Sequence, residues 1–256
     1  MARLRRIDFQ DRLSLVDHLD ELRTRLIVSI GALVVSLGLC FWQNHLILRL
    51  ANDPLPGNKQ PITFGVAEPF MTTLTISAYA AIVLALPVIL YQLYAFVLPA
   101  FSPRERRTLV PMLVLVPILF IAGIVFSYFV VLPAAIKFLL NFNNDQFNIQ
   151  VRARDYYGFV AMTLLSLGFV FQIPIAILAV TRLGIVSASQ LAKNRRYAYV
   201  VIAVVAMALP GTDPVTMLIE MVPLLILFEL SVLLARLVER STARAQLVQR
   251  EGDSPA

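Results

Sequence analysis

Residues 108–136 read TLVPMLVLVPILFIAGIVFSYFVVLPAAI. The run holds 29 residues and no charge. As a helix rising ~1.5 Å per residue it exceeds a hydrocarbon core about 30 Å thick. It has no polar face, so it is not the amphipathic helix of a water-soluble domain. Four other uncharged gaps flank it, residues 26–48, 69–103, 156–181 and 197–212, of 23, 35, 26 and 16 residues. The composition agrees: 59% of the 256 residues are apolar and 15% charged, against about 45–50% and ~25% in a soluble domain. Disordered, collagen-like and ordinary soluble enzyme chains are excluded.

These gaps and the run from Asp213 to Arg236, broken by Glu220 and Glu229, predict an all-α integral membrane protein with six transmembrane helices. The spans fall at roughly 26–48, 71–98, 108–132, 156–181, 197–211 and 214–235, in a single membrane domain over 1–256. The last two are read as short, crossing a thinned bilayer, with a re-entrant pair over Tyr197–Arg236 as the alternative. Residues 239–256 read as a disordered tail. Pro87, Pro117, Pro174 and Pro223 lie inside spans and should kink them.

Lys and Arg near span ends set the orientation. Segments 1–25, 99–107, 182–196 and 236–256 hold 17 of the 22 basic residues, and the alternate segments hold 5. Both termini are therefore read as cytoplasmic. The 17 basic residues face 9 acidic ones, a charge of +8 on the inner side, while the outer segments balance to zero. Glu220 and Glu229 return the total to +6. The excess is a topology signal, and no nucleic acid is needed to explain it. Residues 1–25, with five acidic residues, do not resemble a cleaved signal peptide.

Leu15, Leu19, Leu22 and Leu26 recur at steps of four, three and four. They predict an amphipathic helix over 12–25 on the inner surface, with Ser14 and Asp17 as a capping-box-like start. Glu21 and Arg25 stand four apart and can pair on a wet face. In the turn Pro99–Arg107, Ser102 suits an N-cap, Pro103 the first helical position and Glu105 the third. Glu105 is the only carboxylate among Arg104, Arg106 and Arg107, so it is the only local sink for a cationic partner. Glu220 and Glu229 lie nine residues apart, on opposite faces of a helix, and each is close enough to a span end to reach a wet interface. Gln172 precedes Pro174 deep in a span. It bonds a carbonyl freed by the proline, or faces a polar cavity or a partner helix.

A catalytic constellation is missing. One cysteine, Cys40, permits no intrachain disulfide or Cys cluster, and His18 and His45 are expected near opposite faces. No Gly-x-Ser-x-Gly elbow or phosphate-cradling loop occurs. A secondary transporter would need ionisable groups converging near the midplane, and the two glutamates do not. The chain is read as neither an enzyme nor a metal or cofactor protein.

His18–Leu26, HLDELRTRL, resembles the N-terminal motif of TatC, the multispanning subunit of the twin-arginine protein translocase. Further matches follow in the family's order: Glu68-Pro69-Phe70, Pro87–Gln92, Ala95-Phe96 with Pro99, Glu105–Arg107, Tyr128–Val131, Pro174, Asp213 and Phe228-Glu229. The resemblance covers roughly residues 12–238. It implies a six-span protein with both termini cytoplasmic, in the inner membrane of a prokaryote. Its helices would form a curved wall with a recess open to lipid. It implies binding of signal peptides with paired arginines, read by Glu21 and Glu105 with His18, Arg23, Arg25, Phe96, Pro99 and Arg106 in support. It implies TatA-type and TatB-type single-span partners, contacts of Gln172, Asp213 and Glu229 with partner helices or intramembrane polar groups, self-association, and transport of folded proteins driven by the proton-motive force. Pro54, Pro69 and Phe70 would belong to a stiff outer cap. The chain departs from the pattern at Gln172, where many members carry glutamate. Glu220 matches no motif of the family.

Overall fold

The computed structural model describes residues 9–56, 60–97, 103–182, 185–211 and 213–252, with side chains for 18–56, 60–96, 114–181, 185–211 and 213–236. In chain order its helices are α1 (Phe9–Trp42), α2 (Asn44–Asn52), α3 (Glu68–Val97), α4 (Pro103–Phe126), a π turn (Ser127–Val131), α5 (Leu132–Asn141), α6 (Ala153–Val170), α7 (Ile173–Arg182), α8 (Ala188–Lys193), α9 (Arg195–Ala208) and α10 (Pro214–Gly252). Among the described residues five helical segments are long and apolar enough to cross a membrane: His18–Trp42, Glu68–Phe96, Val114–Asn141, Ala153–Thr181 and Pro214–Arg236.

Several boundaries correct the reading from sequence. The amphipathic segment over 12–25 is not a separate surface helix. α1 runs through it without interruption from Phe9, so the backbone at Ser14 lies inside a helix and not at its start. Leu19, Leu22 and Leu26 are exposed; these three do not pack on the protein. Of the last two spans only one is short. α9 has 14 residues, about 21 Å of helix, and does not reach the length of a span. The last candidate span, Pro214–Arg236, has 23 residues and is full length. Glu220 suggested an interruption there, but it is buried inside the bundle and the helix passes through it. α10 continues to Gly252, so 239–252 are helical where a disordered tail was expected.

The prolines act unequally. Pro87 and Pro223 sit inside continuous helices. Pro174, at the second position of α7, follows a real break: α6 stops at Val170 and the backbone turns at Phe171–Gln172. Proline has no N–H and its ring clashes with the carbonyl four residues back, here that of Val170, where α6 ends.

Among the described residues four apolar clusters hold the bundle, the smallest joining α7, α8 and α10 through Leu178, Ala188 and Ala235. The first joins α2, α3, α5 and α6 through Ala51, Ile76, Leu132, Tyr156 and Val160. The second joins α3, α4 and α7 through Leu86, Leu90, Phe120 and Ile175. The third joins the end of α6 to α9 and α10 through Val170, Ile202, Leu224 and Phe228. α4 and α6 cross where two glycines remove side-chain bulk. A Cβ on Gly168 would lie 2.5 Å from the Phe120 ring, and one on Gly123 would lie 2.8 Å from the Leu167 carbonyl oxygen. Small residues at such crossings let helices approach closely where no hydrophobic drive exists between them.

Candidate functional site

α1 packs against α3 along a narrow stripe. Glu21, Arg25 and Ser29 are half-buried, and Ser36 and Cys40 buried, at mostly four-residue steps. The remaining faces, with Ile27, Ile30, Val34, Val35 and Trp42, are exposed, as suits a helix lying in lipid. At the start of this stripe the apolar contacts give way to a polar network. Arg25 donates from Nε (3.0 Å) and Nη2 (2.6 Å) to Oε1 of Glu21. Its Nη1 donates to Oε1 of Gln92 on α3 at 3.1 Å. Nδ1 of His18 is 3.9 Å from Glu21 Oε2. The His18 ring stacks on Phe96 of α3, with centroids 4.4 Å apart and planes 18° apart.

The structure thus brings together four of the predicted site residues, Glu21, Arg25, His18 and Phe96, at one end of the α1–α3 pair. Arg23 is exposed on α1. Gln92 was missed as a site residue although it ends a run that matched the motif; a lone amide closing an apolar stretch is the signal that would have found it. Glu105 and Arg106 lie in the first turn of α4, as their spacing predicted. Their side chains, and Pro99 altogether, lie outside the described residues.

The polar groups of the last helices are placed separately. Glu229 accepts from Tyr199 Oη at 2.7 Å and pairs with Arg195 Nη2 at 2.9 Å, clasping α9 to α10. Asp213 is the N-cap of α10. Its Oδ1 accepts from the Thr216 amide at 2.7 Å and its Oδ2 from the Thr216 hydroxyl at 2.6 Å, with Pro214 at the first helical position. Gln172 donates from Nε2 to the Val116 carbonyl of α4 at 3.2 Å, while its buried Oε1 has no partner. The carbonyl it reaches belongs to a neighbouring helix and is not the one Pro174 frees.

At the opposite end of α3, Glu68 ties a cap together. Its Oε1 pairs with Arg152 Nε at 2.7 Å, and its Oε2 accepts from the amides of Phe64 (2.8 Å) and Gly65 (3.3 Å). The Glu68 hydrogen bond, and then its charge, raise the Arg152 guanidinium above its ordinary range. Ile62 and Arg152 form a parallel β-bridge. Tyr156 and Tyr157 donate to the Ala51 carbonyl (2.6 Å) and to Asn52 Oδ1 (3.0 Å), and Tyr128 to the Leu50 carbonyl (2.8 Å). Pro54 lies in the turn after α2, and Pro69 and exposed Phe70 open α3. Between these two polar ends lies an apolar cavity of about 640 Å³, lined among others by Cys40, Tyr79, Pro87, Phe120, Ile124 and Leu164.

Comparison with known proteins agrees across the chain. The family model described as Sec-independent protein translocase protein (TatC) matches residues 17–223. The Sec-independent protein translocase protein TatC of Carboxydothermus hydrogenoformans is 36% identical over 89% of this chain and 94% of its own length. That of Aquifex aeolicus is 34% identical over 91% and 98%, and that of Escherichia coli K12 36% over 89% and 90%. A crystal structure of the twin arginine translocase receptor TatC superimposes with a TM-score of 0.75 at 33% identity, covering 85% of this chain and 99% of the other.

Proposed function

The chain belongs to the TatC family of Sec-independent protein translocases, and from that premise we propose that it is the subunit that receives twin-arginine signal peptides. As a member it is a multi-pass membrane component of a protein translocase and not an enzyme. The receptor reading rests on one observation: a half-buried carboxylate, Glu21, stands at the end of the α1–α3 pair with one oxygen held by Arg25 and the other, Oε2, contacted among the described residues by His18 at 3.9 Å. An arginine guanidinium is a planar fork of five donors and a carboxylate accepts it along two parallel bonds. Two adjacent arginines call for two acceptors, Glu21 and Glu105. His18 stacked on Phe96 and Arg25 bonded to Gln92 keep α1 aligned with α3, so Glu21 is presented from a rigid pair of helices.

The proposed arrangement has six crossings, with α9 as the short one in a thinned bilayer, and both termini on the cytoplasmic side of a prokaryotic inner membrane. The sorting of 17 of the 22 basic residues supports it. TatA-type and TatB-type helices, and further copies of this chain, would assemble around it, with Gln172 and the α9–α10 pair as points of contact. The proton-motive force would drive passage of the folded cargo. Binding of a synthetic twin-arginine signal peptide to the purified protein in detergent tests the reading. The peptide should bind, and its twin-lysine version should bind at least tenfold more weakly. Equal affinity for the two overturns it.

A further inference from the structure

We propose that Glu220, Ser127 and Thr163 enclose a water site within the membrane-spanning bundle, between α10, the π turn and α6. Glu220 is fully buried, and neither of its carboxyl oxygens has a hydrogen-bond partner among the described residues. Ser127 Oγ and Thr163 Oγ1 are likewise fully buried and unpartnered. A carboxyl group and two hydroxyls without partners, removed from solvent, are costly singly and costlier together. Asp213, on the same face of α10 two turns earlier, offers nothing, because both its oxygens are taken by Thr216.

The packing register brings the three groups to one place. α4 and α6 run antiparallel, with Gly168 against Phe120 and Gly123 against Leu167. One turn further along, Ser127 comes opposite Thr163, and the π turn does pack on α6 and on α10. α6 and α10 share the cluster of Val170, Leu224 and Phe228. Thr163 lies two turns before Val170, and Glu220 one turn before Leu224. A helical side chain leans toward the N-terminus of its helix, which carries the Glu220 carboxyl toward the level of Thr163 and Ser127. Water is the ligand of matching chemistry, since one molecule makes two to four bonds and donates or accepts as needed. It would link α10 to the π turn, the one place where the long α4–α5 segment departs from α-helical geometry.

A crystal structure of the full chain in a lipidic phase, at a resolution that shows ordered water, tests this. The expected result is a density peak about 2.6–3.2 Å from the Glu220 carboxyl and from at least one of the two hydroxyls. The peak should vanish in Glu220→Leu and persist in Glu220→Gln. Direct bonding of Glu220 to Ser127 or Thr163 with no peak between them overturns the proposal. So does a peak ringed by six or more oxygens at about 2.3–2.6 Å, which would be a cation. Should Glu220→Leu fail to fold, Ser127→Ala and Thr163→Ala, which each remove one hydroxyl and keep the carboxyl, give the second reading: a shifted or lost peak in either supports the site, and a peak unchanged in both overturns it.

Discussion

Arg25 grips Glu21 on a single oxygen, with Nε at 3.0 Å and Nη2 at 2.6 Å from Oε1, and turns its remaining nitrogen to Gln92 of the next helix. The pair is therefore a brace between α1 and α3 as well as an i,i+4 ion pair. Among the described residues it also leaves Oε2 with the His18 imidazole, at 3.9 Å, as its ion-pair contact. In the proposed receptor role an incoming guanidinium would meet Oε2 first, and its second bond, to Oε1, would compete with Arg25.

This division predicts unequal effects of two substitutions. Glu21→Ala removes the acceptor, and a charge-assisted bond is worth about 1.5–3 kcal/mol, so signal-peptide affinity should fall roughly 10- to 100-fold. Arg25→Ala frees Oε1 while loosening the brace, and should cost less than Glu21→Ala. Fluorescence anisotropy with a labelled peptide measures both. A larger loss in Arg25→Ala than in Glu21→Ala would show that the brace, and not the carboxylate, is what the peptide needs.

Gln172 offers a second comparison. Its amide nitrogen bonds a carbonyl of α4 and its oxygen is unpartnered. If hydrogen bonding is its role, Gln172→Leu should reduce copurification of TatA-type or TatB-type helices more than Gln172→Glu does. Glutamate keeps the acceptor that the buried oxygen supplies, and leucine keeps neither group. The opposite ranking would reject the role.

The apolar runs were legible because lipid asks little of a sequence except length and low charge. The first four uncharged gaps each overlap a helix long and apolar enough to cross a membrane. Errors arose where charge count stood in for burial. Glu220 made the last span look short, yet a carboxyl enclosed by neighbouring helices interrupts nothing, and only tertiary packing shows that it is enclosed. Glu229, by contrast, is partly exposed and held by Arg195 and Tyr199. At the site, the one-helix pairing of Glu21 with Arg25 was visible from spacing. The bond from Arg25 to Gln92 and the stacking of His18 on Phe96 join residues far apart in the chain, and no local pattern encodes them. The glycines at the α4–α6 crossing carried no periodic signal at all.

The cap at the far end of α3 yields a prediction about coupling. Glu68 accepts from Arg152 and from two amides, and Arg152 also lies over the Phe64 ring at 5.6 Å. Glu68→Gln and Arg152→Ala should each lower the thermal midpoint, and the double variant should lose less than the two single losses combined, since both break one network. Simple additivity in a double-mutant cycle would mean that the ion pair contributes nothing beyond its separate parts.

The two crossing glycines separate backbone from side-chain obstruction. In Gly123→Ala the new methyl meets the Leu167 carbonyl oxygen at 2.8 Å and the Phe171 side chain at 2.9 Å. The carbonyl belongs to the helix itself, so relief requires the helices to part. In Gly168→Ala the methyl meets the Phe120 ring, at 2.5 Å for its closest atom, and a ring can rotate, although Phe120 is fully buried and has little room. Overpacking of this kind costs about 1–3 kcal/mol. Gly123→Ala should fall at the upper end and Gly168→Ala below it. Gly158→Ala, with nothing within 4 Å of the added carbon, should be neutral or slightly stabilising, since alanine favours helix over glycine. Thermal unfolding of the three variants in one detergent ranks them. Equal stability of Gly123→Ala and Gly158→Ala would mean that α4 and α6 do not cross at this close distance.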